Sequence, residues 1–157
     1  MTVRWDSEGL ESIPLKLIIV AVVATMSVLP AAQALSGLES RDFVRRAGVQ
    51  MDRLATLSQV LTVQGPGNVR TVDLDFSSES RLAFEQFMFG DEPRGANESR
   101  VMLVLNNGGI IVRLASEPPC TICAEDRGPF VSNQATFSIR MTSVFEDNRT
   151  IVLVGMV

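Results

Sequence analysis

Hydrophobic residues follow two different periods along this chain, and the change falls near residue 65. From Leu17 to Leu35 there are 19 residues without a charged side chain, close to the length that a helix needs to cross a bilayer. Farther along, apolar residues recur in steps of three and four, which is the spacing of one helix face. This stripe consists of Phe43, Ala47, Met51, Leu54, Leu57 and Leu61. We therefore predict a transmembrane or filament-core helix over 13–35 that an amphipathic helix continues over 36–64.

Beyond Gln64 the pattern changes to alternation. The stretch QGPGN ends the helix, because glycine supplies a C-cap and proline blocks continuation. Alternating segments then predict strands at VRTVDLDF, RLAFEQFMF, RVMLVLN, GIIVRLA, ATFSIRMTSVF and RTIVLVGMV. The turn NNGG indicates a hairpin. The predicted fold class is α+β: a long N-terminal helix packed on a small antiparallel sheet over 65–157, with the amphipathic helix as its only available cover.

The hydrophobic stretch has three interpretations. As a signal peptide, LIIVAVVATMSVL is the apolar region and cleavage follows Ala34, which leaves a secreted domain. As one continuous helix, the stretch is kinked at Pro30 and stays attached. Between Leu35 and the start of the amphipathic stripe, Gly37 is the only helix breaker, and this favours one continuous helix. A single-span anchored domain of another type is the third alternative.

The order of segments resembles a known family. A short polar leader over 1–12, the stretch EGLESIPLKLIIVAVVATMSVL, an amphipathic helix, GPGNVRTVDLDF and a small β-domain are together similar to archaeal type IV pilin-like proteins. The resemblance implies that the apolar helix anchors the subunit in membrane lipid and then forms the core of a filament of identical or related subunits. It also implies leader processing between Gly9 and Leu10, and a role for Glu11 in assembly.

Composition excludes several functions. The net charge is −4 and histidine is absent, so neither a basic nucleic-acid surface nor a Ser-His-Asp, Cys-His or His-rich metal site is expected. No nucleophile, base or metal cluster converges in the sequence. We therefore expect no enzymatic activity, no cofactor, no nucleic-acid partner and no small-molecule substrate.

The motif PPCTICAED contains two cysteines, Cys120 and Cys123. Outside the cell such a pair is expected to form a local disulfide. A zinc site would need two more ligands, which only carboxylates such as Glu125 could supply. The disulfide is the favoured interpretation.

Two sequons, NES at Asn97 and NRT at Asn148, fall in predicted turns and are candidates for N-glycosylation. Together with the cysteines and the resemblance, they predict a single-pass membrane protein whose C-terminal domain lies outside the cell. The distribution of basic residues favours the opposite orientation, because Arg4 and Lys16 precede the span whereas four arginines closely follow it.

The run Phe87, Met88 and Phe89 cannot face one core with all three side chains. It is interpreted either as sheet core or as a contact with a neighbouring subunit. For the whole chain, the predicted function is a membrane-anchored, cell-surface structural subunit that self-associates. The alternative is a monomeric anchored or secreted β-domain that binds a ligand or an envelope partner.

Overall fold

The structure is a computed structural model that describes residues 8–79 and 81–157, and the side chains at positions 8–15, 27, 29–34 and 36 lie outside that description. Helix α1 spans Glu8–Gln64. The chain divides into two compact units, residues 1–38 and 39–157. The second unit therefore contains the C-terminal part of α1 and all the strands that follow.

Helix α1 ends where the backbone can no longer continue a right-handed helix. Gly65 adopts a left-handed conformation with φ of 84°, which glycine reaches without steric cost. The Asn68 side-chain amide donates to the carbonyl oxygens of Gln64 at 3.3 Å and Gly65 at 3.0 Å. Ser143 Oγ donates to the Gly65 carbonyl at 2.6 Å. These bonds satisfy carbonyls that a helix end otherwise leaves unpaired.

Eight strands follow the helix and form two four-stranded sheets. In chain order they are β1 Val69–Asp75, β2 Phe84–Phe89, β3 Arg100–Leu105, β4 Ile110–Leu114, β5 Thr121–Ala124, β6 Phe130–Ser132, β7 Thr136–Glu146 and β8 Arg149–Met156. Sheet A has the order β1-β7-β8-β5, and sheet B has the order β4-β3-β2-β6. Strand β5 runs parallel to β8, and the other pairs are antiparallel.

The predicted α+β fold, with the helix packed on one small antiparallel sheet, is wrong. The six strands expected from alternation are present, but β5 and β6 add two more, and the eight form two sheets of which one is mixed. The two sheets pack on each other as well as on the helix, so the helix is not the only cover. Strands of four and three residues are too short to show a readable alternation.

One core joins the two sheets and the C-terminal part of α1. Phe87 of sheet B lies 5.5 Å from Phe137 of sheet A between ring centroids, and Phe76 lies 5.5 Å from Phe87. Met51 and Leu54 of α1 are fully buried in the same cluster. The predicted helical stripe is confirmed, because five of its six residues are buried and the sixth, Leu57, packs against the cluster.

The helix also closes the open side between the two sheets. The Gln50 side chain bonds to the backbone of Asp75 on edge strand β1. Arg113 Nε on edge strand β4 donates to Asp52 Oδ1 at 2.7 Å. A β-carbon added at Gly48 would lie 3.0 Å from Arg113 Nη2, so the glycine leaves room for the guanidinium. An edge strand with unpaired backbone groups invites pairing with other chains, and a covering helix prevents it.

Candidate functional site: an exposed apolar helix surface

The first unit presents a segment of α1 that is apolar and exposed. Its ten large apolar side chains in the described part of the chain are between 48% and 73% exposed. They are Leu17, Ile18, Ile19, Val20, Val22, Val23, Met26, Val28, Leu35 and Leu38. A helix that is apolar on all sides is normally found in the core of a larger body or in lipid. This segment, called the apolar segment below, is therefore the strongest candidate for a binding surface.

The polar groups of the apolar segment are few. Lys16 lies at its start and is exposed. The Thr25 hydroxyl donates within the helix, to the carbonyls of Ala21 at 2.6 Å and Val22 at 3.0 Å, so it carries no unsatisfied hydrogen-bond donor. Ala21 and Ala24 are exposed small residues that would let another helix approach closely. Over the described residues, no helix reaches the length and apolar character needed to span a membrane.

Several predicted positions fall outside what the structure describes. The leader residues 1–7 are not described, and at Gly9, Leu10 and Glu11 the structure describes only the helical backbone. The same holds for the side chains of Pro30 and of the alanines between 31 and 34. Leader processing and the role of Glu11 therefore stay predictions.

The two cysteines are buried free thiols; Cys123 lies in β5 and Cys120 directly precedes that strand. Cys120 belongs to the main core, whereas Cys123, three residues on, does not. In an extended chain, residues three positions apart have α-carbons about 10 Å apart and side chains on opposite faces. A disulfide tolerates no more than ~7 Å between α-carbons. Joining them would require β5 to leave its extended conformation and its pairing with β8.

Burial keeps both thiols protonated. It raises the pKa of Cys120 to about 12, against a smaller lowering by a hydrogen bond with Thr62. Burial also raises the pKa of Cys123, and a hydrogen bond with Arg127 opposes it. Because the thiolate is the reactive form of cysteine, neither side chain is a nucleophile at neutral pH.

Ionic side chains that the sequence did not single out surround the cysteines. Arg127 Nη2 lies 2.5 Å from Glu146 Oε2. Glu98 Oε2 accepts from the Arg94 backbone N–H at 2.8 Å and the Thr121 hydroxyl at 3.1 Å, and it lies 3.5 Å from Arg149 Nη1. A cavity of about 310 Å³ adjoins Glu98 and Arg149. Glu98 and Arg149 lie 51 positions apart, so no local pattern could have grouped them.

The two sequon asparagines have different surroundings. Asn148 is exposed, with φ of 61°, in the two-residue turn between β7 and β8. Asn97 is half-buried, and its Oδ1 accepts from Arg100 Nη1 at 2.8 Å. A glycan is therefore accommodated more readily at Asn148. Over the described residues, no group of three or more histidine, cysteine, aspartate or glutamate side chains is placed to hold a metal ion.

Comparison with known proteins adds no relative. No protein family, no characterised protein and no solved structure matches the chain.

Proposed function

We propose that this chain is a membrane-anchored, cell-surface structural subunit that assembles with other copies through the apolar segment, as the resemblance to archaeal type IV pilin-like proteins implies. The observation that carries the proposal is the exposure of ten large apolar side chains in one unit of the chain. Membrane lipid would cover them in the single subunit, and the helices of other copies would cover them in the assembly.

The magnitude of the uncovered surface supports this function over a free monomer. Exposed apolar area costs roughly 25 cal/mol per Å² relative to a buried state, and contiguous exposed patches above a few hundred Å² are rare on soluble monomers. In the second unit, by contrast, the apolar stripe of the helix is buried in its own core. The apolar segment is thus a continuous helical stretch whose apolar side chains lack such a cover in the described part of the chain.

A charge inside the apolar segment tests the proposal. Val20→Glu in the full chain should abolish or strongly reduce higher assembly in detergent and in cells, because a carboxylate would have to be buried among apolar helices. The matched control is Val63→Glu, since Val63 also lies on α1 and is 72% exposed, compared with 64% for Val20. Assembly should be measured by sedimentation velocity and electron microscopy, and folding by circular dichroism.

The control should assemble like the unchanged chain. If Val20→Glu assembles as well as Val63→Glu, the segment is not the assembly surface. The monomeric surface domain would then be the better description.

A further inference from the structure

An open cavity lies beside helix α1, close in sequence to the end of the apolar segment. It has a volume of about 350 Å³. The residues that line it are Ser40, Arg41, Val44, Arg45 and Leu82. We call it the Leu82 cavity, and all of its lining residues belong to the second unit of the chain. Arg41 follows Leu38, the last large apolar residue of the apolar segment, by three positions.

The Leu82 cavity combines an apolar part with a cationic part. Val44 is 38% exposed, and Leu82 is half-buried and packs against the hydrophobic core. Arg41 and Arg45 are four positions apart on α1, so their side chains project from the same face of the helix. Two guanidinium groups therefore lie next to an apolar surface that remains partly open to solvent.

The positive charge of the cavity is only partly neutralised within the chain. Arg45 pairs with Asp42 at 3.0 Å, and its side chain is still 74% exposed. Arg41 is exposed and forms no hydrogen bond or ion pair with the residues that the structure describes. Arg81, which directly precedes Leu82 in the chain, is also exposed. The cavity thus offers guanidinium donors to a ligand.

Carboxylates are present around the cavity but do not line it. Asp42 is held by Arg45 and by Arg46 at 3.0 Å each. Glu39 and Glu79 are exposed close to the lining residues in sequence, and neither of them lines the cavity. The charge of the lining residues is therefore positive, although the whole chain carries a net charge of −4.

A ligand that matches both parts has an anionic head beside an apolar chain. Guanidinium groups bind phosphate oxygens through charge-assisted hydrogen bonds. Free phosphate would leave Val44 and Leu82 uncovered, and a zwitterionic headgroup would bring its own cation against the arginines. Basic residues directly after a membrane-embedded helix attract anionic lipid headgroups. An anionic phospholipid therefore fits both the cavity and its place in the chain.

We infer that the Leu82 cavity binds the headgroup of an anionic phospholipid. Arg41 and Arg45 donate hydrogen bonds to its phosphate. Its first acyl carbons contact Val44 and Leu82. The inference rests on the proposed function, in which membrane lipid surrounds the apolar segment of the single subunit. It adds the class of lipid and the residues that select it.

Native mass spectrometry of the full chain in a neutral detergent tests the inference. The chain is mixed with equal concentrations of phosphatidylglycerol, which is anionic, and phosphatidylcholine, which is zwitterionic, and the two kinds of lipid adduct are compared. The test variant combines Arg41→Gln with Arg45→Gln. The matched control combines Arg70→Gln with Arg140→Gln, because both arginines are exposed on sheet A and the change in net charge is the same. Circular dichroism checks that each variant is folded.

The unchanged chain should bind about tenfold more phosphatidylglycerol than phosphatidylcholine, because each basic residue near an anionic headgroup strengthens binding by roughly fivefold. The test variant should bind the two lipids equally, whereas the control should keep the preference of the unchanged chain. Arg41→Lys with Arg45→Lys should also keep a preference for the anionic lipid, because both positive charges remain.

Equal binding of the two lipids by the unchanged chain would overturn the inference and leave the proposed function standing. A preference that the test variant retains would overturn it as well. If an equal concentration of inorganic phosphate displaces phosphatidylglycerol, the cavity is a site for a free anion and the inference is wrong. Absence of both lipid adducts would contradict the inference together with the lipid anchoring in the proposed function.

Discussion

The side-chain amide of Gln50 forms two hydrogen bonds with the backbone of Asp75. Gln50 Nε2 donates to the Asp75 carbonyl at 2.6 Å, and Gln50 Oε1 accepts from the Asp75 N–H at 2.9 Å. One helix side chain thus pairs both backbone groups of a residue on the edge strand β1, as a neighbouring strand would. This is a direct link between the amphipathic half of α1 and sheet A.

Removing this amide should lower the stability of the second unit. Gln50→Ala should reduce the free energy of unfolding by about 1–2 kcal/mol, because two hydrogen bonds are lost at a partly exposed site. Urea unfolding followed by circular dichroism measures the change. Gln59→Ala, on the same helix, should stay within about 0.5 kcal/mol of the unchanged chain. Equal effects at the two positions would show that the Gln50 bonds contribute nothing.

Gly90, which directly follows β2 of sheet B, lies close to the backbone of β5 in sheet A. Its φ is 72°, and an added β-carbon would lie 2.0 Å from the Ile122 carbonyl oxygen on β5. Gly90→Ala should therefore destabilise the fold by clearly more than the roughly 1–2 kcal/mol that a left-handed conformation costs a non-glycine residue.

Gly108 is the matched control for that substitution. It has a similar φ of 79°, but nothing lies within 4 Å of its added β-carbon. Gly108→Ala should lower the free energy of unfolding only by the cost of a left-handed conformation at a non-glycine residue. The difference in stability between the two variants, measured by thermal unfolding, gives the cost of the steric contact with β5. A Gly90→Ala variant as stable as Gly108→Ala would show that β5 moves away freely.

The buried thiol of Cys120 should make stability fall at alkaline pH. Its pKa is raised from 9.0 to about 12 by burial, so between those values the unfolded chain loses a proton that the folded chain keeps. Stability from this group is therefore fully present below pH 9 and decreases as pH rises, by about 1.4 kcal/mol per unit. The chain has no tyrosine, so few other groups titrate there.

Urea unfolding at pH 8 and pH 10 measures this slope. Cys120→Ala should reduce it, whatever the variant's stability at pH 8, and the raised pKa of Cys123 accounts for the slope that remains. An unchanged slope in the variant would assign the alkaline loss to other groups.

A thiol count separates the free cysteines from the disulfide expected for an extracellular pair. The native chain should react slowly with a thiol reagent, because burial disfavours the thiolate at both positions. Unfolding in urea without a reductant should release two thiols. Release of none, with a mass two hydrogens below that of the reduced chain, would establish the disulfide and require a rearranged β5.

The N-terminus of the mature protein tests the resemblance. If processing follows the pilin-like pattern, Edman sequencing of protein from the cell surface should begin at Leu10 and retain the apolar segment. An N-terminus at Leu35 would mean that the stretch is a removed signal peptide. In that case the assembly proposal would lose its surface.

Local patterns in the sequence were sufficient for the longer elements. The helical stripe from Phe43 to Leu61 and the alternation in β1, β3, β4, β7 and β8 predicted elements that are present. The hairpin at NNGG joins β3 to β4, with Gly108 in a left-handed conformation. These features follow from periodicity and turn chemistry, which act between residues close in the chain.

Tertiary packing decided the rest. Strands β5 and β6 exist because neighbouring strands pair with them, and the parallel pairing of β5 with β8 brings residues near 122 against residues near 152. The same packing separated Cys120 from Cys123 and placed Arg127 and Glu146 beside the latter. Which residues favour burial can be read from the sequence, because hydrophobicity is a property of each side chain. Which surface covers them depends on contacts between distant segments, and such contacts leave no period in the chain.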